Sequence, residues 1–131
     1  MKFLQIGTNN GADECYNIIK EYDIELGILV EPIAELKDKI KIQYKDINNI
    51  NIESIAITPA DDISSIDLYQ SVKEGQTSKT SFNKDMLLKH NVEESDIQKI
   101  SYPAMTINNL LEKYNVTELD YLFIDTEGLD E

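Results

Sequence analysis

The sequence predicts an α/β fold built on a parallel sheet with crossover helices. Three observations carry that prediction. Short, mainly apolar runs recur at Phe3-Leu4-Gln5-Ile6, Ile28-Leu29-Val30 and Tyr121-Leu122-Phe123-Ile124, as buried strands require. Between the runs, apolar residues repeat at i, i+3, i+4 and i+7, which is one face of a helix. Strand, helix, strand, helix, strand in that order implies parallel strands joined by crossovers.

The first run ends at Gly7-Thr8-Asn9-Asn10-Gly11. Beyond it, Cys15, Ile18, Ile19 and Tyr22 share a helical face, with Asp13 and Glu14 in the first turn, where the helix dipole favours them. The second run ends at Glu31-Pro32. Pro32 suits a helix start, and Ile33, Leu36 and Ile40 follow on one face. Residues 52–57, Ile-Glu-Ser-Ile-Ala-Ile, read as a third strand that stops at Thr58-Pro59. From 61 to 105 the pattern is irregular. Residues 65–69 are a strand candidate with Ile66 and Leu68 on one side. Residues 73–81 read as an exposed loop, 83–91 as a short helix, and 97–102 as a strand ended by Pro103. Thr106 is a candidate N-cap for a helix with Ile107, Leu110, Leu111 and Tyr114 on one face. The last run is predicted as a fourth buried strand, ending on Asp125-Thr126-Glu127-Gly128.

The chain of 131 residues makes one domain, residues 1–131, with a core of its own. Its 25 acidic against 12 basic residues give a net charge of −13. That balance disfavours nucleic acid and anionic membranes as partners. Cys15 is the only cysteine, so there is no internal disulfide framework; on an apolar helix face it reads as a buried structural thiol. No apolar run has the length of a membrane span, and no signal peptide precedes the first strand. A cytoplasmic, reducing setting is the expectation.

In open parallel sheets, ligands bind outside the carboxyl ends of the strands, near the point where strand order reverses. Glycines there let backbone approach a ligand, and a following helix offers free N–H groups. A carboxylate such as Glu31 accepts hydrogen bonds from both hydroxyls of a ribose. The loop is Gly-x-x-x-Gly and not G-x-G-x-x-G, because position 9 is Asn. That counts against a pyrophosphate-bearing dinucleotide, and so against a nicotinamide-binding domain. It suits a smaller nucleoside ligand with an amino-acid tail. Asp125 and Glu127 would lie near its reacting part.

The stretches Phe3-Leu4-Gln5-Ile6-Gly7-Thr8-Asn9-Asn10-Gly11, Leu29-Val30-Glu31-Pro32, Ala56-Ile57 and Tyr121-Leu122-Phe123-Ile124-Asp125-Thr126-Glu127-Gly128 resemble, in order and spacing, the FkbM family of S-adenosylmethionine-dependent methyltransferases. Met105-Thr106 and its helix fit the same pattern. The resemblance implies a Rossmann-like sheet of the class I methyltransferase type. It implies that this chain supplies the N-terminal half of the usual seven-stranded sheet, plus a β-rich, irregular insert. It implies S-adenosylmethionine as cofactor, held by Gly7, Thr8, Asn9, Asn10, Gly11, Glu31, Pro32, Ala56, Ile57 and Asp125. Gly7, Asn9 and Gly11 would line its methionine and ribose portion. Glu31 would take the ribose hydroxyls, Ala56 and Ile57 would lie near adenine, and Asp125 near the methyl group. The expected reaction is O-methylation of a hydroxyl on a small molecule or sugar, with Asp125 as the candidate catalytic residue.

The base is not settled by the residues. His90, the only histidine, reads either as a surface residue or as that base. Asp125 reads as a catalytic group or as one orienting backbone. Asp125 and Glu127 are an incomplete ligand set, so no metal is expected. Residues 75–81 read as a substrate lid or as a solvated connection. With strands missing beyond the fourth, the sheet edge would be exposed. A fragment, a completing chain or homodimer, and a reduced relative covered by its insert all satisfy that condition. The rival function is a non-catalytic binding or assembly module.

Overall fold

Residues 1–8, 11, 14–71, 80–81, 84–89 and 92–124 are described by the computed structural model. In chain order the elements are β1 (Lys2–Ile6), α1 (Glu14–Ile19), β2 (Leu26–Val30), a 3-10 turn (Ala34–Leu36), α2 (Lys37–Gln43), β3 (Ile50–Glu53), β4 (Ala56–Ile57), β5 (Ser65–Ser71), β6 (Thr80–Ser81), α3 (Lys84–Lys89), a second 3-10 turn (Glu94–Asp96), β7 (Ile97–Met105), α4 (Ile107–Lys113) and β8 (Tyr121–Ile124). The main sheet has the order β3-β2-β1-β8 and is parallel throughout. The chain steps outward from β1 to β2 to β3, then crosses back to place β8 on the other side of β1. Strand order therefore reverses between β1 and β8, the Rossmann-like arrangement that the sequence predicts.

Alternation along the strands sorts the core into two layers. On one face Phe3 and Leu29 pack with Cys15 and Ile19 of α1, Ile40 of α2 and Tyr44 just after it. On the other, Leu4, Ile6, Ile28 and Val30 pack with Leu110 of α4. Gly27 of β2 lies under the Phe3 ring. A Cβ there would come within 2.6 Å of Phe3 and 2.7 Å of Ile50, so glycine is required by close packing. At the strand starts, the Lys2 N–H donates to an Asp120 carboxylate oxygen at 2.7 Å, and the Asp120 N–H donates to the Lys2 carbonyl at 2.8 Å. This pair ties the lead-in of β8 to β1.

Several sequence expectations are corrected. The third strand is two strands. β3 pairs with β2, whereas β4 pairs with β7 in a second sheet of order β4-β7-β5-β6. Pro103 does not end its strand, because β7 continues to Met105. It stands opposite Ser65, and the neighbouring ladder bond runs from the Ala104 N–H to the Ser64 carbonyl. The absent proline N–H thus points away from β5, to the side where β4 pairs only from Ala104 onward. Beyond Pro32 the chain makes the 3-10 turn before α2, although Ile33, Leu36 and Ile40 are all buried as their spacing predicts. Tyr22 lies past α1, is 49% exposed, and pairs with the Tyr121 ring at 6.2 Å.

The largest correction concerns β8. The run reads as a buried strand, but one whose edge would be exposed without further strands; Tyr121, Leu122 and Ile124 are all exposed, the last two at 49%. β1 covers one edge, and among the described residues no strand covers the other. The insert is β-rich, as expected. Of the proposed loop and lid, Thr80–Ser81 form β6, and 72–79 lie outside the described residues. α3 is the helix expected over 83–91; His90 lies outside the described residues.

α4 is fixed at both ends. Thr106 is its N-cap, with Oγ1 accepting from the Asn109 N–H at 3.1 Å, as predicted. At the other end, Glu53 at the tip of β3 accepts from Lys113 Nζ at 2.7 Å and from the Tyr114 hydroxyl at 2.5 Å. Burial pushes the Glu53 carboxyl up, but these two hydrogen bonds and the Lys113 and Lys37 charges outweigh it and hold the pKa below its ordinary value. Burial, and then Glu53, push the Tyr114 phenol up.

A carboxylate with a depressed folded-state pKa contributes stability above its unfolded pKa. That contribution is lost as pH falls through the folded value. Glu53→Gln should therefore lower the urea midpoint at about pH 7, and its deficit relative to wild type should shrink by about pH 3. An equal deficit at both pH values would contradict the assignment.

Candidate functional site

The carboxyl ends of β1 and β2 lie side by side, with Ile6 opposite Val30. Immediately beyond, the chain turns. The N–H groups of Gly7 and Thr8 both donate to the Val30 carbonyl, at 2.9 and 3.1 Å. Gly7 has φ +84° and Gly11 φ +82°, the left-handed region that glycine enters without steric cost. The Gly11 N–H closes the loop onto the Thr8 carbonyl at 3.1 Å. Gly11 also lies against α2 and the residue after it: a Cβ would come within 3.1 Å of the Tyr44 ring and 3.3 Å of Gln43. The close approach inferred for this glycine is thus made, at least in part, to the protein itself.

Thr8 sits at the base of the loop and is only 1% exposed. Its hydroxyl has no hydrogen-bond partner among the described residues. A buried hydroxyl without a partner is costly, and this one lies at the carboxyl end of the sheet, where a polar ligand atom would satisfy it.

Glu31 follows β2 directly and is 7% exposed. Its N–H donates to the Glu53 carbonyl at 3.0 Å, and its Oε2 accepts from the Ile33 N–H at 3.1 Å. The carboxylate is therefore held by the turn it caps, with Pro32 between the two bonded residues. Gly7, Thr8, Gly11, Glu31 and Pro32 are brought together at one end of the sheet. Asn9, Asn10, Asp125 and Glu127 lie outside the described residues.

Ala56 and Ile57 are split by strand alternation. Ala56 is buried, and Ile57, on the other face, packs towards Val30 and Ile6. Ile57 also borders an open cleft of about 450 Å³, lined further by Thr58, Asp61, Thr106 and Asn108. No motif in the sequence marks this cleft. It arises where the end of β4 meets the start of α4, two elements about fifty residues apart (57 to 107).

A second residue the sequence does not mark is Tyr102 of β7. Its hydroxyl donates to Gln70 Oε1 on the neighbouring strand. Burial first, and then the negative charges of Glu35 and Glu31, push its phenol up to about 12. The insert thus sends an aromatic side chain into the electrostatic neighbourhood of Glu31. A tyrosine inside a strand of an irregular section carries no periodic or spacing signal that would find it.

Among the described residues, no group of His, Cys, Asp and Glu could hold a metal ion. No helix among them is long and apolar enough to cross a membrane. The family model described as the methyltransferase FkbM domain matches residues 5–131, essentially the whole chain. No curated protein and no solved structure matches it.

Proposed function

This chain belongs to the FkbM methyltransferase family, and on that premise we propose that it binds S-adenosylmethionine at the carboxyl ends of β1 and β2. The observation that carries the reading is the pairing of a glycine turn after β1 with a buried, pre-oriented Glu31 after β2, at the carboxyl end of the sheet. The residues present fit that cofactor. Glu31 suits a ribose diol, and the Thr8 hydroxyl, which has no hydrogen-bond partner among the described residues, suits a polar atom beside it. Ala56 and Ile57 would lie towards the base, and Asp125, with Asn9 and Asn10, towards the amino-acid tail.

When bound, the cofactor supplies an electrophilic methyl group. The chain's task is then alignment of an acceptor oxygen and removal of its proton. The acceptor we propose is a hydroxyl on a small molecule or sugar, with Asp125 as the residue near the transferred methyl. A reducing, cytoplasmic setting belongs to the same reading, in keeping with the single buried cysteine. Titration calorimetry with S-adenosylhomocysteine tests the cofactor. A dissociation constant on the order of micromolar is expected; a folded protein that gives no binding heat at any temperature tried would sink the proposal.

One observation favours a second reading, an assembly module. Tyr121, Leu122 and Ile124 are exposed on a strand whose outer edge is unpaired among the described residues, the kind of edge that recruits another strand. The partner would be a second copy or another chain that extends the sheet beyond β8. Leu122→Lys should then abolish the association seen by light scattering. A wild-type chain that stays monomeric up to about 1 mM would remove the homodimer, since weaker association at ordinary concentrations is marginal.

A further inference from the structure

Glu53 is the last residue of β3 and is bonded on two sides. Its backbone carbonyl accepts the Glu31 N–H at 3.0 Å. Its side chain, 13% exposed, accepts through Oε1 from Lys113 Nζ at 2.7 Å and from the Tyr114 hydroxyl at 2.5 Å. Lys113 closes α4, and Tyr114 follows it directly. Glu53 therefore links the exit of β2, where Glu31 stands, to the end of α4.

Glu53 also marks the place where the chain changes sheets. As far as Glu53 the strand pairs with β2, Val30 standing opposite Glu53. From Ala56 it pairs with β7. Ser54 and Ile55, between the two, belong to neither ladder. Strand pairing does not hold this junction, and the Glu53 carboxylate anchors it from outside both sheets. Glu31 lies on one side of the junction and Ala56 and Ile57 on the other. The cofactor reading sets these residues against the ribose and the base.

We propose that Glu53 is a positioning residue for the nucleoside site: its carboxylate, clamped by Lys113 and Tyr114, fixes the junction and so the placement of Ala56 and Ile57 relative to Glu31. The inference rests on the cofactor reading above. The carboxylate is taken up by α4, so Glu53 acts through its neighbours and makes no ligand contact of its own. Hydrogen bonds to an ionised acceptor are among the stronger ones. A site whose parts are held at the right separation beforehand spends less binding energy on ordering.

The test is carried out on the full chain with S-adenosylhomocysteine as the calorimetric probe. Glu53→Ala should raise the dissociation constant about tenfold. Glu53→Gln keeps an acceptor for both donors and should stay within about threefold of wild type. Tyr114→Phe removes one donor from the clamp. It should raise the dissociation constant about threefold and move the Glu31 amide resonance of the ligand-free protein. Asp120→Ala controls for lost stability. It removes the bond to the Lys2 N–H at the opposite end of the sheet, and should lower the urea midpoint without changing affinity. A purely structural Glu53 would behave in the same way. Unchanged affinity in a folded Glu53→Ala overturns the role of Glu53 and leaves the cofactor reading standing. If Glu53→Ala does not fold, unchanged affinity in Tyr114→Phe overturns it instead. A folded wild type that binds no probe overturns both.

Discussion

Glu31→Ala should weaken S-adenosylhomocysteine binding by about a hundredfold. Hydrogen bonds to a charged acceptor contribute about 1.5–3 kcal/mol each, and every ~1.4 kcal/mol is a factor of ten. The loss of two such bonds to a ribose diol gives an effect of that size even when part of it is recovered by water. The carboxylate is pre-oriented, because Oε2 already accepts from the Ile33 N–H. Alanine thus removes both the ligand contact and the cap that holds the turn. Glu31→Gln separates the two. An amide retains an acceptor for the Ile33 N–H but lacks the negative charge, so its affinity should fall between wild type and alanine while its melting temperature stays near wild type. Calorimetric dissociation constants for the three proteins check this. Equal affinity across the series would remove Glu31 from the site.

The second large effect is on stability. Phe3 is 0% exposed and packs on Cys15, Ile19, Leu29 and Ile40. Phe3→Ala should cost about 3–5 kcal/mol, the range for a buried aromatic truncated to alanine. That is a large share of the ~5–15 kcal/mol that holds a domain folded. Gly27→Ala attacks the same contact from the other side. Its Cβ would meet Phe3 at 2.6 Å, so the ring or the strand must shift, at about 1–3 kcal/mol. Because the two residues touch, the costs should not add. Gly27→Ala placed on a Phe3→Leu background should cost less than on wild type, since the obstructing ring is gone. Urea unfolding of the four proteins measures the coupling; strict additivity would show that the clash is relieved elsewhere.

These residues also show what was legible in the sequence. β1 and β2 announced themselves because they are buried on both faces, which leaves continuous apolar runs. The glycine turn and Glu31 were legible because they follow those runs directly, and the Thr106 cap because its hydrogen bond spans three residues. β8 has the same apolar signature and is exposed. An apolar run records what a strand needs to bury, not whether anything is there to cover it. Residues 52–57 read as one strand, but the two halves pair with β2 and with β7, a choice that nothing local encodes. Pro103 broke a local rule because the direction of its missing N–H depends on which neighbours the strand acquires. The Glu53 clamp on Lys113 and Tyr114 joins residues sixty apart in the chain. The tips of the first strands were readable because they are local; their surroundings were not, because they are assembled from distant segments.

The central claim is that the carboxyl ends of β1 and β2 hold a nucleoside ligand. Amide-resolved nuclear magnetic resonance of the wild-type chain, titrated with S-adenosylhomocysteine, tests it most directly. The account predicts saturable shifts at Gly7, Thr8, Gly11, Glu31 and Ile33, with little change at Lys2, Tyr22 and Tyr121 at the opposite end of the sheet. Shifts confined to that opposite end, or no saturable shift in a folded chain, would contradict it.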